Sequence, residues 1–196
     1  MKIPFNNLKK NNKIFKKVFL RRIDQIISSS SFILGKEVLK FEKNFSKLLR
    51  VNHCISCANG TDALFIALKC IGLKTNEEVI TTSFSWISTS SSITHAGGKV
   101  VFCDTDEESF NIDPNKIEKL ITKKTKGIVV VHLYGNPADM KTILKIAKKY
   151  NLWIIEDCAQ SHLSKIDNKY SGTFGHIGCF SFFPAKNLGA LGDAGC

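Results

Sequence analysis

From His53 onward, short wholly apolar runs alternate with stretches of helical spacing, and this alternation constrains the fold more than any other feature. Runs such as Ile128-Val129-Val130-Val131 are apolar at consecutive positions, so a strand formed there must be covered on both faces. Strands of that kind belong to parallel sheets flanked by helices and joined by right-handed crossovers. The pattern predicts strands at 53–58, 78–82, 99–104, 127–133, 152–156 and 178–183, and helices at 62–71, 87–95, 115–121 and 141–150. Upstream, Ile14, Val18, Phe19, Ile23, Ile26 and Ile27 predict an amphipathic helix ended by the serines at 28–31. Val38, Leu39, Phe41, Phe45, Leu48 and Leu49 predict a second helix after Gly35. The expected architecture is α/β: a helical segment, 1–52, then a three-layer sandwich about a mainly parallel central sheet, 53–196.

At 196 residues the chain has room for one well-buried domain. No apolar run approaches the roughly 20 residues of a membrane helix, so no membrane partner is expected. The opening MKIPFNNLKKNNKIFKK has neither an apolar signal core nor a small-residue cleavage site, and the expected location is the cytoplasm. Seven cysteines, at 54, 57, 70, 103, 158, 179 and 196, lie mostly in apolar runs, as buried free thiols of a reducing compartment do. Cys54 and Cys57 form a C-x-x-C without a second pair at zinc spacing. Within one strand their odd separation would also send the thiols to opposite faces, so no metal site is expected there. The 28 basic and 17 acidic residues give a net charge of +11. That charge suits either a solvated lysine-rich surface or a polyanion-binding one. Only 9–17 is dense in lysine, and no nucleic-acid-binding module accompanies it, so a solvated surface favouring phosphate-bearing ligands is expected, with no nucleic-acid partner.

Ligands of such sheets gather at the carboxyl ends of the strands, and those ends carry the candidate residues. The run 53–58 leads into Asn59-Gly60-Thr61-Asp62-Ala63 at a helix start, where the N–H groups of Thr61, Asp62 and Ala63 can ring an anion. The same residues also suit a plain N-cap at Asn59 or Thr61. Trp86, after the strand at 78–82, is either a platform for a flat ring or a core residue. Asp157 ends the strand at 152–156, with Gln160 three residues on. His162 reads by default as a hydrogen-bonded core or rim histidine. Ser181 has a hydroxyl to offer a phosphate. Lys186 follows Pro184 and precedes a glycine-rich loop. Held half-buried at a strand end, it has the chemistry to trap a carbonyl if desolvation or a neighbouring positive charge lowers its ordinary pKa of about 10.4. An ordinary surface lysine is the alternative. A lysine for an aldehyde, an aspartate for a pyridine nitrogen and a phosphate cradle are together what pyridoxal 5'-phosphate (PLP) requires. The glycine sets 172/175/178 and 189/192/195 lack dinucleotide spacing, and read as turns that let backbone approach a ligand.

The segments NGTDAL (59–64), VITTSFSWISTSSSITHAGGKVVFCD (79–104), FNIDP (110–114), VVVHLYGNPADM (129–140), IIEDCAQSH (154–162) and FSFFPAKNLGALGDAG (180–195) occur in collinear order over nearly the whole chain. Together they resemble the PLP-dependent sugar aminotransferases of the DegT/StrS type, within the aspartate aminotransferase fold. The resemblance implies that Lys186 bonds the cofactor and then carries the proton between cofactor and substrate carbon. It also implies that Asp157 pairs with the pyridine nitrogen, Gln160 with the ring hydroxyl, and Trp86 with the ring face. Gly60, Thr61, Asp62 and Ser181 would hold the phosphate, with Asn187 a further contact. The implied reaction moves an amino group from an amino-acid donor, usually glutamate, to a nucleotide-diphosphate-linked keto sugar, in a homodimer serving polysaccharide synthesis. Some relatives are dehydratases with histidine at the lysine position, so Lys186 points to the transaminase branch. Members of the family continue well past the GDAG loop. The chain therefore resembles their N-terminal part, without the small C-terminal domain, and is expected to be impaired in turnover. Two rival readings are a non-catalytic relative with a PLP-binding or regulatory role, and a basic nucleic-acid-binding protein that would leave these motifs unexplained.

Overall fold

A computed structural model describes residues 6–196, the side chain of residue 11 excepted. It divides into two compact units, Met1–Ser56 and Cys57–Cys196. In the first, helix α1 (Leu8–Ser28) starts a turn and a half before its apolar pattern does. Asn7 explains the early start: its side chain accepts the Lys10 N–H at 3.1 Å as an N-cap. Helix α2 (Lys36–Leu49) ends at Arg50 in the left-handed conformation, and buries Phe45 and Leu49 four residues apart on one face.

The second unit opens with α3 (Gly60–Cys70), β1 (Glu78–Thr82), α4 (Ile87–His95) and β2 (Lys99–Cys103). There follow α5 (Pro114–Ile117), β3 (Thr125–Val131), α6 (Met140–Tyr150), β4 (Trp153–Asp157), a short antiparallel hairpin of β5 (Lys165–Ile166) and β6 (Lys169–Tyr170), and β7 (Ile177–Cys179). Five strands form one parallel sheet in the order β2-β1-β3-β4-β7. On one face Ile80, Ile128, Val130 and Ile154 pack with Ile117, Met140, Ile143 and Ile146 of α5 and α6. On the other, Val79, Val129 and Ile155 pack with Leu64, Leu68 and Ile93 of α3 and α4. The consecutive apolar residues of β3 are thus divided between two cores, which is the three-layer sandwich expected. Gly127 of β3 has no room for a side chain, because a Cβ there would fall on the Trp153 indole of the neighbouring strand.

Two expected strands form differently. Residues 53–58 stay outside the sheet: Ile55 is 76% exposed, and only Cys57 pairs, exchanging two hydrogen bonds with Gly195 at 2.9 and 3.0 Å. Polar His53 and Ser56 interrupt the run, so it lacks the two apolar faces that a central strand needs. The expected strand 178–183 leaves the sheet after Cys179. Its Phe180 and Phe182 N–H groups turn to the carbonyls of Cys196 and Ala194. The C-x-x-C therefore does not lie in a strand, and the opposite-faces reasoning does not apply to it. Helix 115–121 is also shorter than expected, α5 giving way to a 3-10 turn at Glu118–Leu120. Of the seven cysteines, Cys103, Cys158 and Cys179 are buried, Cys54, Cys57 and Cys196 are partly buried, and Cys70 is exposed.

Candidate active site

Because the strands are parallel, their carboxyl ends share one edge of the sheet, and the candidate residues meet there. The N-terminus of α3 is capped by Asn59: its side chain accepts the Asp62 N–H at 2.9 Å, and its carbonyl the Ala63 N–H at 3.0 Å. Of the three N–H groups expected to ring an anion, two are therefore already engaged. Those of Gly60 and Thr61 donate to no acceptor among the described residues. Ser181 stands against this helix end, since a Cβ on Gly60 would lie 2.6 Å from the Ser181 Cβ. Glycine is what lets the helix approach so closely. The Ser181 side-chain oxygen accepts a 3.4 Å contact from the Phe183 N–H, which leaves its own proton free. Two free N–H groups at a positive helix end, with a hydroxyl facing them, make an anion cradle.

Asp157, the last residue of β4, is 6% exposed. Its Oδ2 accepts from Thr89 Oγ1 at 2.8 Å, and its Oδ1 from the Ala159 N–H at 3.1 Å. Burial pushes its carboxyl above the usual range, while the Thr89 and Ala159 hydrogen bonds and the nearby Lys186 charge pull it down. Lys186 is half-buried in a turn closed by its own N–H to the Phe183 carbonyl at 2.8 Å. Its ammonium makes no hydrogen bond or ion pair among the described residues. Burial lowers its pKa, and the Asp157 charge partly opposes the shift. An amine and a carboxylate that feel each other while both are desolvated are a pair tuned by environment, as functional sites commonly are.

Gln160 accepts the Tyr134 N–H through Oε1 at 2.8 Å, which leaves its amide NH2 as a free donor. Trp86 caps α4 and is 73% exposed, so it is not a core residue. Asn187, the residue after Lys186, is exposed. His162 is not the hydrogen-bonded histidine expected: both ring nitrogens are buried without a partner at hydrogen-bonding geometry, between Phe180 and Phe182 at 5.8 and 5.3 Å. Burial lowers its pKa, and the neighbouring Ser181 backbone offsets this only in part.

Four participants escaped the sequence reading. Ser85 and Thr89 hydrogen-bond each other at 2.9 Å beside Asp157. The hydroxyls at 85, 88, 89 and 92 recur at helical spacing, a signal that was available. His132 and Glu156 form a second, buried group. The Ala138 N–H donates to His132 Nδ1 at 3.0 Å, so Nε2 carries the proton and donates to Glu156 Oε2 at 2.9 Å. Glu156 also accepts the N–H groups of Gly172, Phe174 and Gly175 at 2.8, 2.7 and 2.6 Å. Cys158 lies close enough for a three-ligand set, yet both His132 nitrogens and both Glu156 oxygens are already engaged, which makes this a structural knot. The backbone of Gly172 and Gly175 thus approaches this carboxylate, where a ligand was expected.

The parallel three-layer sandwich thus carries a desolvated lysine, a buried carboxylate and an anion cradle at one edge of its sheet. The chain belongs to the DegT/DnrJ/EryC1/StrS aminotransferase family, whose model matches residues 13–196. It is 45% identical over its whole length to a pleiotropic regulatory protein of Geobacillus stearothermophilus, covering 52% of that protein. It is 42% identical over 98% of its length to a UDP-N-acetyl-3-dehydro-alpha-D-glucosamine 3-aminotransferase of Acidithiobacillus ferrooxidans, again covering 52%. Among solved structures, DesV of S. venezuelae, in complex with a ketimine intermediate, superposes with a TM-score of 0.96 at 33% identity. That match covers 98% of this chain and 52% of DesV. The chain spans about half the length of the curated relatives it matches.

Proposed function

We propose that this chain is the cofactor-binding part of a PLP-dependent aminotransferase acting on a nucleotide-linked keto sugar, with residues 53–196 as the PLP-binding large domain after a helical segment, 1–52. The observation that carries the reading is the desolvated Lys186 amine within the field of the buried Asp157. The residues fit the cofactor. Its phosphate matches the free N–H groups of Gly60 and Thr61 and the Ser181 hydroxyl, at a place where a Cβ on Gly60 would close the cradle. Asp62 enters through its backbone turn, since its N–H is already capped. Asp157 suits a protonated ring nitrogen, the free Gln160 amide a ring oxygen, and the exposed Trp86 indole a ring face. Asn187 contributes next to Lys186.

PLP, when bound, supplies an aldehyde that captures amines and a protonated ring that accepts electrons from the reacting carbon. The lysine has two tasks. Its desolvated Nζ would hold the cofactor through the aldehyde and would carry a proton at the substrate carbon. Asp157 would keep the ring nitrogen protonated, and its burial would strengthen that hydrogen bond. Glutamate as amino donor, a homodimer in the family-length protein, a cytoplasmic location and a role in polysaccharide synthesis complete the proposal. The named aminotransferase among the relatives supports the sugar-linked acceptor. Among the described residues no helix is long and apolar enough to cross a membrane. Neither rival is favoured: Lys186 and Asp157 are both in place, and family membership accounts for the motifs.

The test is a titration of the purified chain with PLP, followed by absorbance. A saturable cofactor band shifted from that of free PLP is expected. A chain shown to be folded by circular dichroism that gives no such band overturns the reading.

A further inference from the structure

The cofactor contacts proposed above leave the hydroxyl-bearing face of α4 unused, yet that face is bonded to both ends of the site. Thr89 is 2% exposed, and its single hydroxyl proton goes to Asp157 Oδ2 at 2.8 Å. Toward Ser85, 2.9 Å away, Thr89 therefore has only a lone pair to give. The chain has one direction: Ser85 donates to Thr89, and Thr89 donates to Asp157. In the same turns, Thr61 Oγ1 donates to Ser88 Oγ at 2.8 Å, and Ser92 Oγ donates to the Thr61 carbonyl at 3.3 Å. One helix thus grips the anion cradle with Ser88 and Ser92, and the carboxylate of β4 with Thr89.

We propose that Thr89, oriented by Ser85, is a positioning residue that holds the Asp157 carboxylate in one orientation toward the cofactor ring nitrogen, at a distance from the anion cradle fixed by α4. The inference rests on the PLP reading. A hydroxyl chain ending on an anion polarises toward it, so the outer donor strengthens the inner one. Each Asp157 oxygen accepts one hydrogen bond within the protein and retains lone pairs for a further donor. Thr89 therefore orients the group without filling its capacity. The other titratable groups that act on or are acted on by Asp157 are Lys186 of the following loop, His132 after β3, Cys158 after β4 and Cys179 of β7.

The test has two readouts on the whole chain. In the ligand-free chain, carbon-13 NMR of aspartate carboxyls follows the titration of Asp157, assigned with D157N. Thr89→Val keeps the side-chain shape and removes the donor, so the Asp157 titration is expected to move to higher pH; Thr89→Ser is expected to restore it. With PLP added, Thr89→Val is expected to weaken binding roughly tenfold, as loss of one charge-assisted hydrogen bond does, and Thr89→Ser to recover it. A packing role alone would lower the unfolding temperature of Thr89→Val and leave the titration of Asp157 where it was. An unmoved titration in a folded Thr89→Val chain overturns the proposal. Should that variant not fold, Ser85→Ala is expected to move the titration in the same direction by less, and no movement there overturns it too. If the unaltered chain binds no PLP, the functional reading fails, while the NMR titration still decides whether Thr89 governs Asp157.

Discussion

Glu156 and Asp157 are neighbours on β4, yet their carboxylates lie on opposite faces of the sheet and meet different partners. Glu156 is enclosed by His132 and three backbone N–H groups, whereas Asp157 meets Thr89 of α4 and one backbone N–H. Strand alternation gives one residue to structure and the next to the candidate site.

Glu156→Gln places an amide NH2 against N–H donors that it cannot accept. With at least one buried donor left unpaired, a loss of about 3 kcal/mol of stability is expected. Chemical denaturation of the ligand-free chain measures it, and a loss below about 0.5 kcal/mol would show that the knot is dispensable.

Gly60→Ala drives a methyl group toward Ser181, 2.6 Å from its Cβ. The helix end and Ser181 must separate, opening the cradle. PLP affinity should fall by roughly tenfold or more, the equivalent of one lost charge-assisted contact, with the circular dichroism spectrum unchanged. Retained affinity in a fluorescence titration would place the phosphate elsewhere.

Burial raises the pKa of Asp157, so folding favours its protonated form. Stability from this group is fully present below its unfolded pKa and is lost as pH rises through the folded one. Asp157→Asn is accordingly expected to stabilise the ligand-free chain near pH 7 by on the order of 1 kcal/mol while weakening PLP binding, a trade of stability for function. The gain should vanish below the carboxylate range. Thermal unfolding across pH reads both limbs, and a destabilised Asn variant at neutral pH would refute the sign.

The Lys186 amine is lowered by burial and held up by the Asp157 charge. Reductive methylation of Lys186 should therefore proceed at a lower pH than that of exposed lysines. In Asp157→Asn its midpoint should fall further, because the opposing charge is gone. Peptide mass spectrometry across pH follows each lysine, and a midpoint equal to that of the exposed lysines would contradict the desolvated amine.

How much of this was legible depends on what each segment packs against. The strand at 78–82 and the helix at 87–95 coincide with β1 and α4, and the unbroken apolar run at 128–131 falls within β3, whose residues are buried on both faces of the sheet. Residues 53–58 and 180–183 misled, since the backbone groups of Cys57, Phe180 and Phe182 pair with residues 194–196 and no local period records that pairing. Lys186, Asp157 and Ser181 stood out by residue type at strand ends. Thr89 and Glu156 did not, because a hydroxyl in a helix and an acid in a strand acquire their roles only from groups distant in sequence. The capping of Asp62 by Asn59 was an alternative reading of the same residues, and only geometry showed that the cap and the cradle share one helix end.

The most direct test of the central claim is reduction of the PLP-loaded chain with borohydride, followed by peptide mass mapping. A pyridoxyl mass on Lys186 is expected in stoichiometric yield, with the other lysines unmarked. A label spread over surface lysines, or fixed on another residue while Lys186 stays free, would contradict it.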